Sequence, residues 1–228
     1  HYLIMGRIIS EESMNLVTDE EKEHVTAYLK KAVTATENAV TNVPLSSSFL
    51  EGNHSEIRRT YLDALLTNQT RKAHQIIADA RKNGISLIEI YEEILMRVMH
   101  EIGVLWHKNI ITVDKEHYAT SVTQAVMSGF YNELFERPRE NKVLVSCAVG
   151  SELHEMGIRM LSDLFEFYGW DTYYLGAALP ELSILNAVNE YKPDLIALSV
   201  TMPPYLTTCE QIVRRLRKEY PELKIAVG

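Results

Sequence analysis

Glu152 and His154, separated by one residue and followed by Gly157, come directly after an apolar run that reads as a β-strand. A carboxylate that accepts the second N–H of an imidazole fixes its tautomer and raises its basicity, a common arrangement behind a metal-ligating histidine. A glycine just beyond lets a bulky ligand or a backbone approach closely. The same pair could equally decorate a helix start. A second set lies upstream, Trp106-His107 and then Glu116-His117, with nine residues between the tryptophan and the glutamate. Two histidines, a carboxylate and an indole this near in sequence can line a pocket. They can also be ordinary structure, with Trp106 as helix core and His107 as a solvated helix end favoured by the dipole. A third set, Ser199 and Thr201 in "ALSVTMPP", ends another apolar run with no long side chain to fill the space.

The elements that must position these residues fall into two kinds. From residue 53 to 136 the pattern is helical. Asn53 or Ser55 can cap "EIRRTYLDALLTN", and "QTRKAHQIIADARKNG" ends on Asn83-Gly84, suited to a left-handed helix terminus. Ser86 and Glu89 form a capping box for "LIEIYEEILMRVMHEIGVLW". In that helix Leu87, Ile90, Tyr91, Ile94, Leu95, Val98, Ile102 and Leu105 make one apolar face. After "HKNIITV", Asp114 is an N-cap for "KEHYATSVTQAVMSGFYNELF". Four amphipathic helices with short connections predict a four-helix bundle. The charged, proline-containing stretch 136–141 marks a domain boundary.

Beyond it, "KVLVSCAV", "DTYYLGA", "LIALSV" and "LKIAVG" are short β-rich runs separated by helical stretches at 154–168, 181–191 and 205–219. That alternation predicts a doubly wound parallel sheet of flavodoxin or Rossmann type over 141–228, with ligands beyond the carboxyl ends of its strands. The sequence stops after the fourth strand, so the domain is expected to be incomplete at its C-terminal side. Residues 1–52 read as a helix opened by Thr18 and Glu21, then a linker through "TNVPLSSSFLEGN".

With 46% hydrophobic and 24% charged residues the chain is of ordinary globular composition. A net charge of −8 argues against nucleic-acid binding, which needs clustered Lys and Arg. No apolar run reaches a membrane span, and nothing at the start reads as a signal peptide. Cys147 and Cys209, far apart in apolar surroundings, are expected to be buried thiols of a cytoplasmic protein.

The pattern E-x-H-x-x-G (Glu152, His154, Gly157), followed about forty residues later by Ser199 and Thr201, resembles a cobalamin-binding motif. That motif, D-x-H-x-x-G, then S-x-L, then G-G, belongs to methionine synthase, base-off mutases and corrinoid carrier proteins. Glu152 and Thr201 stand where Asp and Leu are commoner, and Gly228 stands for the first glycine of the closing pair. The resemblance implies that His154 is the lower axial ligand of cobalt, and that the displaced nucleotide tail lies beside Ser199 and Gly228. The helical bundle would then cap the upper face of the corrin.

Trp106, nine residues, then Glu116-His117 further resembles the light-sensing adenosylcobalamin photoreceptors of the CarH type. That resemblance implies that Trp106, Glu116 and His117 enclose the adenosyl group. It also implies that His107 takes the upper cobalt position once light has expelled that group. The expected function is a non-enzymatic adenosylcobalamin light sensor whose output is a change of homo-oligomeric assembly or of contact with a protein effector. Residues 1–52 are too short and too acidic for a winged helix, so direct nucleic-acid binding is not expected. The alternative is a corrinoid methyl carrier serving a methyltransferase, which would share His154 but have no use for the Trp106, Glu116 and His117 set. A receiver-type domain is disfavoured because "KVLVSCAVGS" lacks a phospho-acceptor aspartate.

Overall fold

The computed structural model describes residues 47–228, and before them only Thr18, Ala27, Lys30, Lys31 and Thr34. Of the helix expected from Thr18 and Glu21, Ala27, Lys30, Lys31 and Thr34 are helical, and its opening cap at Glu21 lies outside the described residues. Within the expected linker, Ser47–Leu50 forms one helical turn (α1). The helical half continues with α2 (Ser55–Leu66), α3 (Thr70–Lys82) and α4 (Leu87–Glu89), then a π-helical segment (Ile90–Leu95), α5 (Met96–His107), α6 (Val113–Ser128) and α7 (Tyr131–Leu134).

Ser86 and Glu89 form the capping box, each side chain meeting the other residue's backbone N–H. Gly84, at φ 91, supplies the left-handed turn after α3. Other starts differ from the sequence reading. The N-cap of α2 is His54, at φ 66 and without a side-chain bond, rather than Asn53 or Ser55. The N-cap of α6 is Thr112, and Asp114 sits inside the first turn, where its carboxylate is held below its usual range by hydrogen bonding to Thr112. The expected long helix 115–135 stops at Ser128, and Tyr131–Leu134 is a separate turn.

The apolar face predicted for residues 87–105 is the core of this half. Leu87, Ile90, Tyr91, Ile94, Leu95, Val98 and Ile102 are all buried, with Tyr61, Leu65, Ile77 and Met127 packed around them. Burying each such side chain contributes about 1.5–3 kcal/mol. Arg58 is also fully buried, yet among the described residues no carboxylate makes a salt bridge to it. Its guanidinium instead donates to the carbonyls of Phe49, Glu51, Asn53 and Glu93, pinning the stretch after α1 to the π segment.

The second half is β1 (Val143–Ala148), α8 (Met156–Phe167), β2 (Asp171–Tyr174), α9 (Glu181–Tyr191), β3 (Leu195–Ser199), a 3-10 turn (Pro203–Tyr205), α10 (Leu206–Glu219) and β4 (Lys224–Val227). The strands are all parallel in the order β2-β1-β3-β4. Alternation along β1 divides the two faces: Val145 and Cys147 pack with α9 and α10, Leu144 with Ile158 of α8. The loops after β1 and β3 therefore lead to opposite sides of the sheet, and the gap between them is the topological switch point where such sheets bind ligands. Cys147 and Cys209 are free and buried, as expected, and burial pushes the Cys147 thiol up to about 12.

One helix serves both halves. Ile158 and Phe165 of α8 face the sheet, whereas Met156, Met160, Leu164 and Phe167 pack against the helical core. The Tyr91 hydroxyl, from the π segment, donates to Asp163 of α8 at 2.8 Å in buried surroundings. Arg159 of α8 donates to the Ser128 and Tyr131 hydroxyls.

Candidate functional site

The loop after β1 carries the Glu152 side chain into the switch point, where it has no exposed surface. Its Oε1 accepts from the backbone N–H groups of Leu153 and His154 and lies 2.5 Å from His154 Nδ1. Its Oε2 accepts from the N–H groups of Thr201 and Met202, just past β3, at 2.9 and 2.8 Å. Its own carbonyl accepts from the N–H of Ala178 in the loop after β2, a residue held at φ 55. One residue thus fastens three of the loops on the carboxyl edge of the sheet. Burial alone would raise its pKa. The His154 imidazole and the N–H groups of His154, Met202 and Thr201 outweigh that and hold the carboxyl at about 2.

With Nδ1 facing the Glu152 carboxylate, which can only accept, the neutral imidazole has Nε2 as its lone-pair nitrogen, on a side chain 59% exposed. Gly157, in the first turn of α8, is exposed, and a Cβ there would meet nothing within 4 Å. An exposed helical glycine costs about 1 kcal/mol relative to alanine and is not needed here for the backbone, so its effect is clear space beside His154. Ser199 is half-buried at the end of β3 and Thr201 exposed beyond it. Gly228, just past β4, bonds through its N–H to Leu198 and through its carbonyl to Val200. The sequence-predicted residues of the sheet half therefore gather along one edge.

The upstream set lies where α5 turns into α6. Asn109, at φ 55, reverses the chain, and its N–H donates to the Trp106 carbonyl. Trp106 is half-buried with its ring 4.8 Å from that of His107, which is exposed. Glu116 lies in the opening turns of α6 and pairs with His117 Nδ1 at 2.6 Å, while the Thr120 hydroxyl donates to its other oxygen. The hairpin puts all four residues at one end of the helical half.

What relates the two groups is a feature the sequence reading missed. Gln124 Nε2 donates to Glu155 Oε1 at 3.2 Å, and Ser128 meets Arg159 one turn further along both helices. Two side-chain contacts thus join the second half of α6 to the start of α8, in the same order along both helices. Glu116, Thr120 and Gln124 share a face of α6, and Glu116 lies about 12 Å back along the axis from Gln124. Glu116 and His117 thus lie on the helix that Gln124 ties to Glu155, the residue after His154.

Among the described residues no group of three or more His, Cys, Asp or Glu side chains could hold a metal ion, and no helix is long and apolar enough to cross a membrane. One imidazole nitrogen suffices as an axial ligand only if a macrocycle supplies the remaining metal positions. An oriented Nε2 beside kept-clear space fits a cobalt corrinoid.

Residues 142–228 match the family model of the B12 binding domain, and residues 57–128 match a second model of the same description. The chain is 22% identical over 169 residues to trimethylamine corrinoid protein 1 of Methanosarcina mazei, covering 73% of this chain and 78% of that protein. It is 28% identical over 113 residues to the HTH-type transcriptional repressor CarA of Myxococcus xanthus, 49% of this chain and 37% of the repressor. Its fold resembles that of the monomethylamine corrinoid protein of Methanosarcina barkeri, with a TM-score of 0.66 at 16% identity, over 76% of this chain and 83% of that one. The chain carries a cobalamin-binding sheet domain preceded by a helical B12 binding region.

Proposed function

We propose that this cobalamin-binding module is the sensory part of an adenosylcobalamin photoreceptor. The observation that supports the reading is the Glu116–His117 pair, hydrogen-bonded together on the helix that Gln124 ties to Glu155 beside His154, with Trp106 across the same hairpin. Bound adenosylcobalamin supplies a photolabile cobalt–carbon bond and a cobalt that accepts an imidazole. His154 would hold the corrinoid from below, with Glu152 keeping its tautomer. Trp106 would cover the adenosyl group, and Glu116 and His117 would hydrogen-bond it. His107, exposed at the end of α5, would serve the upper face when that group is gone. Because α8 packs on both halves, a change at the wall of Trp106, Glu116 and His117 is passed to the contact between them, and so to assembly or to a protein partner.

A second reading, a corrinoid methyl carrier, is favoured by the similarity to the methanogen trimethylamine corrinoid protein across 73% of this chain. A methyl group does not require the wall. The two readings separate on dark binding of adenosylcobalamin and methylcobalamin to wild type, Trp106→Ala and Glu116→Ala. A sensor binds the adenosyl form more tightly, and each substitution weakens that form by about tenfold, the equivalent of one charge-assisted hydrogen bond or buried ring contact, while methylcobalamin changes little. Equal affinities in wild type, insensitive to both substitutions, favour the carrier.

A further inference from the structure

Glu155 follows the proposed cobalt ligand directly and forms the N-cap of α8, yet its carboxylate serves neither His154 nor the helix end. One oxygen accepts from Tyr174 Oη, at the end of β2, at 2.6 Å; the other accepts from Gln124 Nε2 of α6 at 3.2 Å. A single side chain thereby ties the loop of His154, an edge of the sheet and the helix that carries Glu116 and His117. Gly176, at φ 81, brings the loop after β2 close to the same carboxylate, 3.8 Å from where a Cβ would lie.

We propose that Glu155 is a positioning residue that sets the spacing between the His154 floor and the Glu116–His117 wall, and through it the preference for a corrinoid bearing a bulky upper group. The inference rests on the cobalamin reading above. Gln124 is the nearer to Glu116 of the two α6 residues that bond α8, Ser128 meeting Arg159 one turn further on, so its bond to Glu155 sets where the stretch of α6 carrying Glu116 leaves α8. Fixed there, the wall stands at one height over His154. Released, it can tilt, and the contacts beyond Gln124 no longer meet an upper ligand together. Tyr174 fixes Glu155 itself, so that the tie is rigid on the sheet side.

The test compares adenosylcobalamin with hydroxocobalamin, whose upper ligand is small, by dark titration of Glu155→Ala, Glu155→Gln, Gln124→Ala and the alanine double variant. Glu155→Ala should lose about tenfold more affinity for adenosylcobalamin than for hydroxocobalamin, the scale of one hydrogen bond to a charged group. Gln124→Ala, altered in the other half of the molecule, should give the same selective loss. The double variant should be no worse than either single, because both break one tie. Glu155→Gln should restore most of the selectivity, since its amide oxygen can accept from Tyr174 and its NH2 can donate to a flipped Gln124. Equal losses for both corrinoids, additive losses in the double variant, or no rescue by glutamine would each overturn the proposal. Wild-type protein that binds neither corrinoid would instead remove the cobalamin reading, and the inference with it, before any variant is compared.

Discussion

Glu152 gathers four backbone N–H groups and one imidazole onto a carboxylate with no exposed surface. Donors that water cannot reach would be left unsatisfied without it, and an unmet buried donor costs about 1–3 kcal/mol. Glu152→Ala should therefore lower the unfolding free energy by about 3 kcal/mol, measured by urea denaturation without corrinoid, since water can meet some but not all of the donors. A variant as stable as wild type would show that the three loops hold themselves. The sequence made Glu152 legible as the partner of His154, because they are two residues apart. Its bonds to Thr201 and Met202 were not legible: they cross about fifty residues and use backbone groups, which carry no residue signature.

At the scale of elements, local signals were readable and packing-dependent ones were not. The Ser86–Glu89 box is set within four residues and was read correctly. Ser86→Ala should cost about 1 kcal/mol in thermal or urea unfolding, the usual value of such a cap. No loss of stability would mean that burial of Leu87 alone holds the helix start. The starts of α2 and α6 were misplaced because good capping residues stood beside the actual caps, and neighbouring contacts chose between them. The π segment was invisible to a periodicity that counts apolar positions. It carries Tyr91 to Asp163, and its Glu93 carbonyl accepts from Arg58. The sheet half was easier, since near-continuous apolar runs between helical stretches admit little besides a parallel sheet.

At the scale of the molecule, two halves meet along α8, and the buried Tyr91–Asp163 bond lies in that contact. Burial raises the Asp163 carboxyl from 3.8 to about 6, against the opposing effects of the Tyr91 bond and Arg159 and with Glu166 adding to it. A carboxyl whose folded pKa is raised contributes stability that is full below its unfolded pKa and is lost as pH rises through the folded value. Wild type should therefore lose stability relative to Asp163→Asn between about pH 4 and pH 6, read as the difference in urea midpoint. A difference that stays constant across that window would show that Asp163 does not titrate there. The proposed function is light sensing by the two halves together through bound adenosylcobalamin. It is tested most directly by loading the protein in the dark, illuminating it, and following its visible spectrum and size-exclusion volume together. A light sensor should show an irreversible spectral change with a change in elution volume. Photolysis no different from that of free cofactor, with an unchanged elution volume, would contradict it.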